Sequence, residues 1–157
     1  MKEQAKRTFE IRTEINIKAD KQTIWNILTD FEAYPNWNPF IKNIGGDRFK
    51  GGKLKVKIQP PENSAMRFTP RILAFEEGRT FRWLGHFLFK GLFDGEHIFE
   101  IEEQTDGTCL FVQREEFGGW LVPVFKKSLN DKTARGFRAM NEKLKELAEK
   151  STRRQGA

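Results

Sequence analysis

Two histidines, the carboxylates on the strands around them and one cysteine are the side chains best able to do chemistry in this 157-residue chain. His97 alternates with Phe99 and Ile101, which places its imidazole on an apolar strand face. An imidazole there can orient a ligand carbonyl or act as general acid or base. Gln113 and Glu115 alternate with Phe111 and Phe117 on a following strand, so both are expected on the same inward face. His97 and Glu115 are therefore the candidate acid/base pair. A simpler role explains the same pattern and is preferred: these groups hydrogen-bond one another or water and only orient a ligand. If Lys90–Gly95 forms a hairpin, His86 and His97 could approach across it, with Asp94 or Glu96 completing a metal set. Their spacing matches no local two-histidine motif, and neither a metal nor a cofactor is expected.

Other reactive types fall away on position. Glu115 and Glu116 are adjacent on one strand and point to opposite faces, so they are not a paired-carboxylate site. Cys109 is the only cysteine, which excludes an intramolecular disulfide and a multi-cysteine zinc site, and no activating base adjoins it. Ser64 and Ser128 lack a Gly-x-Ser-x-Gly setting, and Gly45-Gly46 and Gly51-Gly52 are turn punctuation outside any phosphate-loop pattern. Arg67, Arg71, Arg79 and Arg82 could hold an acidic ligand head at a rim. Outward pairing with Glu96, Glu100 and Glu102 accounts for them with less.

These residues need elements to position them. Phe9 to Ile17 alternates apolar and polar as a half-buried strand, and Asp20 can cap a helix carrying Ile24, Trp25, Ile27, Leu28 and Phe31. Pro35 disfavours helical geometry at Tyr34, so only a very short second helical turn is expected before Pro39. Strands then follow at Phe40–Ile44, about Lys53–Gln59, Met66–Phe75, about Thr80–Leu84, from Asp94-Gly95 to Glu102, and Cys109–Phe117, the last two joined by a tight Asp106-Gly107 turn. Val122, Phe125, Leu129, Thr133, Phe137, Met140, Leu144 and Leu147 form one face of a long amphipathic helix opened by Pro123, with Gly136 permitting close approach or a slight bend. The fold class is thus α+β: a curved antiparallel sheet of about seven strands wrapped around a long C-terminal helix, with two short helices between strands 1 and 2. One helix cannot fill such a concavity, so a cavity lined by Trp37, Phe68, Trp83, Phe99, Phe117, Trp120, Phe125 and Leu129 is expected, suited to a mainly apolar ligand.

Composition sets the bounds. The length suits one domain over residues 1–157, with a core of about 8–150 and a flexible basic tail from Ser151. Hydrophobic residues are 38%, too many for a disordered chain, yet no apolar run is long enough to span a bilayer. Fifteen Phe and four Trp beside one Tyr favour a greasy interior over a wet recognition surface. Residues 126–157 hold 10 Lys and Arg against 4 Asp and Glu, so the whole net charge of +6 belongs to this last segment. A solvated helix face accounts for it, and no nucleic-acid partner is expected. No secretory signal follows Met1, and the lone cysteine fits a reducing, cytoplasmic setting.

Asp20 to Phe40, with Ile24-Trp25, Leu28-Thr29-Asp30-Phe31, Tyr34-Pro35 and Trp37-Asn38-Pro39, resembles the N-terminal signature of the SRPBCC (START/Bet v 1-like) superfamily, in its polyketide cyclase/dehydrase and lipid-transport branch. Gly107-Thr108, Glu115 to Gly119 and Gly136 to Asn141 are similar to it as well, and the likeness runs from about Thr8 to Lys150. The resemblance implies a helix-grip fold with a deep hydrophobic cavity. It leaves function open among carriers, hormone binders, cyclases and stress-response modules. The leading expectation is binding of a lipid, isoprenoid, sterol-like or aromatic polyketide ligand without catalysis, by a monomer or homodimer, with the Phe87–Phe93 loop gating access. One alternative is a cyclase/dehydratase-like enzyme using His97 and Glu115. Another is a surface-interaction module whose basic C-terminal helix meets anionic lipid, a membrane contact at most peripheral.

Overall fold

The computed structural model describes residues 7–86 and 90–156. In β1 (Arg7–Ile17) the inward positions include Ile11, Thr13 and Ile17, all buried, while Glu10, Arg12 and Glu14 stay exposed. α1 (Lys21–Thr29) starts where the Asp20 carboxylate accepts from the Thr23 amide at 2.8 Å and from the Thr23 hydroxyl at 2.9 Å. The amide bond holds the Asp20 carboxyl below the usual carboxylate range. Asp20→Ala should therefore cost about 1 kcal/mol in denaturant unfolding at neutral pH. A depressed folded-state pKa means that this stabilisation is present above the unfolded value of about 3.9 and is lost as pH falls through the folded one. The variant should converge on the parent in acid; a gap that persists there rejects the cap.

A 3₁₀ turn (Phe31–Ala33) and α2 (Tyr34–Trp37) follow. Contrary to the local bias of a residue preceding proline, Tyr34 is helical, with φ −51° and ψ −43°. Tertiary contacts override the bias: the Tyr34 ring is fully buried and its hydroxyl donates to the Leu28 carbonyl at 2.6 Å.

The remaining strands are β2 (Ile41–Gly46), β3 (Leu54–Ile58), β4 (Met66–Phe68), β5 (Arg71–Glu76), β6 (Thr80–His86), β7 (Asp94–Glu103) and β8 (Cys109–Gly118). With β1 they make eight among the described residues rather than about seven, because the expected Met66–Phe75 strand breaks at Thr69-Pro70, where proline supplies no ladder donor. One antiparallel sheet runs β1-β8-β7-β6-β5, and a second runs β2-β3-β4. Backbone bonds between Gly51 and Ile72, Ile72 and Gly52, and Leu54 and Pro70 tie the second sheet to β5. Together the sheets curve around α3 (Val122–Gln155).

α3 begins with Pro123 in its first turn and buries Thr133, Phe137, Met140, Asn141, Leu144 and Ala148. It extends to Gln155, so Ser151–Gln155, expected as a frayed tail, are helical. Gly136 marks close approach: a Cβ there would lie 2.3 Å from the Phe40 ring. No helix among the described residues is long and apolar enough to cross a membrane.

Candidate functional site

Register brings the candidate residues together. His97 lies directly opposite Glu115 across β7 and β8 and opposite Trp83 across β6 and β7, while Gln113 lies opposite Thr13 and Phe99. Cross-strand partners share a sheet face, so these side chains converge inside the grip. A polar seam results. Asn141 of α3 donates to the Thr13 hydroxyl at 2.9 Å, and that hydroxyl donates to the Gln113 carbonyl at 3.1 Å. The Gln113 side-chain amide sits 3.0 Å from His97 Nε2 and 3.5 Å from the Met140 sulfur. With the amide donating, the ring proton occupies His97 Nδ1, which faces Glu115 Oε2 across 3.7 Å. That gap is beyond a direct hydrogen bond.

His97 and Gln113 are fully buried. The imidazole stacks on Trp83 with ring centres 4.8 Å apart and meets the edge of Phe137 at 5.0 Å. Trp83, His97, Phe99 and Gln113 are thus buried in the interior. A cavity of about 220 Å³, which they do not line, opens to solvent between α3, β4 and β8. α3 contributes Phe125 and Leu129, β4 contributes Met66 and Phe68, and β8 contributes Glu115 and Phe117. Among the described residues, Glu115 is the only charged one in the lining. The volume falls below the roughly 300–1,000 Å³ of sites that enclose drug-sized ligands, so this cavity fits one end of a ligand.

Of the expected walls, Phe68, Glu115, Phe117, Phe125 and Leu129 border this opening. Trp37 packs elsewhere, edge-on to Tyr34 at 5.2 Å and beside a groove near the C-terminal end of α3. Trp120, expected as a wall, is 74% exposed and lies outside the lining, because the turn preceding α3 projects it away from the core. Of the proposed Phe87–Phe93 loop, Phe87–Phe89 lie outside the described residues, while Phe93 borders the cavity.

The histidines do not meet. His86 sits on the outer face of β6, its Nδ1 2.6 Å from the Asp94 carboxylate, while His97 faces inward. Among the described residues no three metal-ligating side chains converge. Arg82 pairs outward with the buried Glu96, as the strand reading anticipates, and Arg114 joins Glu100 and Glu116. Cys109 is buried, and desolvation pushes its thiol pKa up, consistent with an unreactive side chain.

Sequence reasoning missed Gly95. A Cβ at this position would come within 2.6 Å of Glu115 Oε1, so the glycine makes room for the carboxylate at the cavity wall. The available signal was a glycine inside a strand, which often marks close approach by another group. Phe40, Phe93 and Thr133 were also missed as lining residues, since nothing local sets their distance from β4.

An antiparallel sheet closed on one long helix, with an apolar opening between them, defines the helix-grip class of START/Bet v 1-like proteins. Residues 8–149 match the family described as polyketide cyclase/dehydrase and lipid transport, and the chain belongs to that family. The fold is similar to that of the Zhui aromatase/cyclase from a Streptomyces species, at 12% identity and a TM-score of 0.76, covering 95% of this chain and 98% of that one. It is also similar to a START superfamily protein from Mycobacterium smegmatis, at 21% identity and a TM-score of 0.65, covering 88% and 98% of the two chains. The di-domain aromatase/cyclase StfQ of the steffimycin biosynthetic pathway matches at 12% identity and a TM-score of 0.73 over 91% of this chain; the chain spans about half, 52%, of that protein's length. No curated protein matches the chain.

Proposed function

We propose that the protein binds a small hydrophobic molecule by taking its apolar end into the cavity, without catalysis. The observation that carries this reading is a single carboxylate, Glu115, in a lining otherwise uncharged among the described residues. Apolar contact supplies affinity, and Glu115 selects a ligand that presents an amine or hydroxyl donor beside its hydrophobic body. The family description, which covers both cyclase or dehydrase chemistry and lipid transport, is compatible with this reading. Titration with 1-aminoanthracene, a flat aromatic amine, tests it. Saturable fluorescence enhancement is expected. Glu115→Leu should weaken binding about tenfold to a hundredfold, in line with a hydrogen bond to a charged group. Leu129→Trp, which fills the opening, should abolish it. Absence of saturable binding, or affinity indifferent to both changes, overturns the proposal.

The approach of His97 Nδ1 to Glu115 at 3.7 Å favours a cyclase-like second reading. In it, Glu115 meets the ligand as acid or base while the buried His97, held by Gln113, is a positioning residue. Glu115→Gln would then abolish turnover of a poly-β-ketone substrate while leaving 1-aminoanthracene affinity within a few-fold. Unchanged turnover rejects this second reading.

A further inference from the structure

The rim of the cavity is unusually apolar for a surface. Five large hydrophobic side chains are identified as exposed among the described residues: Phe49, Met66, Trp120, Val124 and Phe125. Met66 and Phe125 border the cavity itself. Trp120 and Val124, at 74% and 73% exposure, occupy the turn before α3 and its first turn, so they adjoin Phe125 along the chain. The turn is pinned. Gly119 has φ +105°, a Cβ on it would lie 2.5 Å from the Leu92 carbonyl oxygen, and the Leu121 amide donates to that oxygen at 3.1 Å. Trp120 is therefore displayed by a turn held against Leu92, whose chain neighbour Phe93 borders the cavity.

Apart from Glu115 in the cavity wall, the chain segment that carries Trp120, Val124 and Phe125 is charged with one sign. Residues 117–130 contain Lys126 and Lys127 and no acidic residue. Both lysines are exposed, Lys126 beside the Phe9 ring at 5.2 Å, and Lys90 is exposed in the neighbouring loop. A projecting tryptophan, adjacent aliphatic and aromatic side chains and a lysine fringe are the features that seat a segment in the headgroup region of an anionic bilayer. A second copy of the chain would bring like-charged lysine fringes together, which disfavours it as the occupant.

We propose that this rim docks on an anionic membrane surface, with Trp120, Val124 and Phe125 entering the headgroup–acyl boundary and Lys126 and Lys127 among the lipid phosphates. The cavity mouth then faces the bilayer. A hydrophobic molecule would pass between lipid and protein with little exposure to water. Docking itself does not depend on which ligand fills the cavity.

Co-sedimentation with phosphatidylcholine vesicles, with and without phosphatidylglycerol, tests the proposal. Partition onto the phosphatidylglycerol vesicles is expected, falling with added salt and accompanied by a blue shift of tryptophan emission, since Trp25 and Trp83 are already buried. Lys126→Glu with Lys127→Glu should weaken partition by about thirtyfold or more. Trp120→Ser with Val124→Ser should weaken it by about tenfold or more and remove the blue shift. All four residues are exposed, so thermal unfolding and 1-aminoanthracene binding of these variants should match the parent. That separates failure of docking from failure of the ligand-binding reading. No preference for phosphatidylglycerol, or partition unchanged in both variants, overturns the proposal. A dimer in sedimentation velocity that Trp120→Ser disperses also overturns it, by assigning the patch to a second copy.

Discussion

Phe137→Ala should lower the stability of this protein by about 3–5 kcal/mol in denaturant unfolding, the usual cost of truncating a fully buried aromatic ring. Phe137 is completely buried on α3, where it meets the His97 ring at 5.0 Å and the Phe40 ring at 5.4 Å. His97 belongs to the buried interior and Phe40 to the cavity lining, and the Phe137 ring touches both. Removing it should also extend the cavity toward the polar seam. The variant is therefore expected to bind aromatic amines bulkier than 1-aminoanthracene better, relative to that probe, than the parent does. A stability loss below about 1 kcal/mol would show that the interior is not packed around this ring.

Gly136→Ala carries the next largest effect. In an exposed helix interior this change would stabilise by up to about 1 kcal/mol, through better helix propensity. Here the added methyl would sit 2.3 Å from Cδ2 and 2.7 Å from Cε2 of Phe40. The Phe40 ring is buried and held edge-on by Phe137, so relief requires displacing packed side chains. Overpacking of this kind costs about 1–3 kcal/mol, which outweighs the propensity gain. A net loss of stability is expected. Shrinking the opposing ring should partly rescue it: Phe40→Leu combined with Gly136→Ala should be more stable than the sum of the single changes predicts. Additive losses, or a stabilised Gly136→Ala variant, would show that helix and ring are not in this close contact.

Much of the fold was legible because local periodicity reports which face of an element is covered. The alternation of Phe9 to Ile17, the Asp20 cap and the three-and-four spacing on the last helix all correspond to observed elements. The split of the expected Met66–Phe75 strand was less legible, since Pro70 can end a strand or occupy an edge. Continuation of α3 through Ser151–Gln155 was missed because that segment has almost no apolar periodicity, while Ser151 and Thr152 are in fact half-covered. At the site, alternation placed His97, Gln113 and Glu115 on one inward face, and the register aligns them so. Alternation says nothing about depth. It could not distinguish Glu115 at the cavity wall from His97 and Gln113 buried in the interior.

What the amino-acid order alone determined is therefore the class of fold, the family likeness carried by Asp20–Phe40 and Gly136–Asn141, and the inward direction of the candidate side chains. These follow from local geometry, in which strand period, helix period and capping act over a few residues. Only the tertiary structure decided that Trp83, His97 and Phe99 fill the inner grip, that the cavity lies nearer the start of α3, and that Trp120 projects outside it. Those outcomes depend on how far apart a helix and two sheets settle. That separation is set by the simultaneous packing of side chains distant in sequence, such as Phe40 against Gly136 and Phe137 against His97.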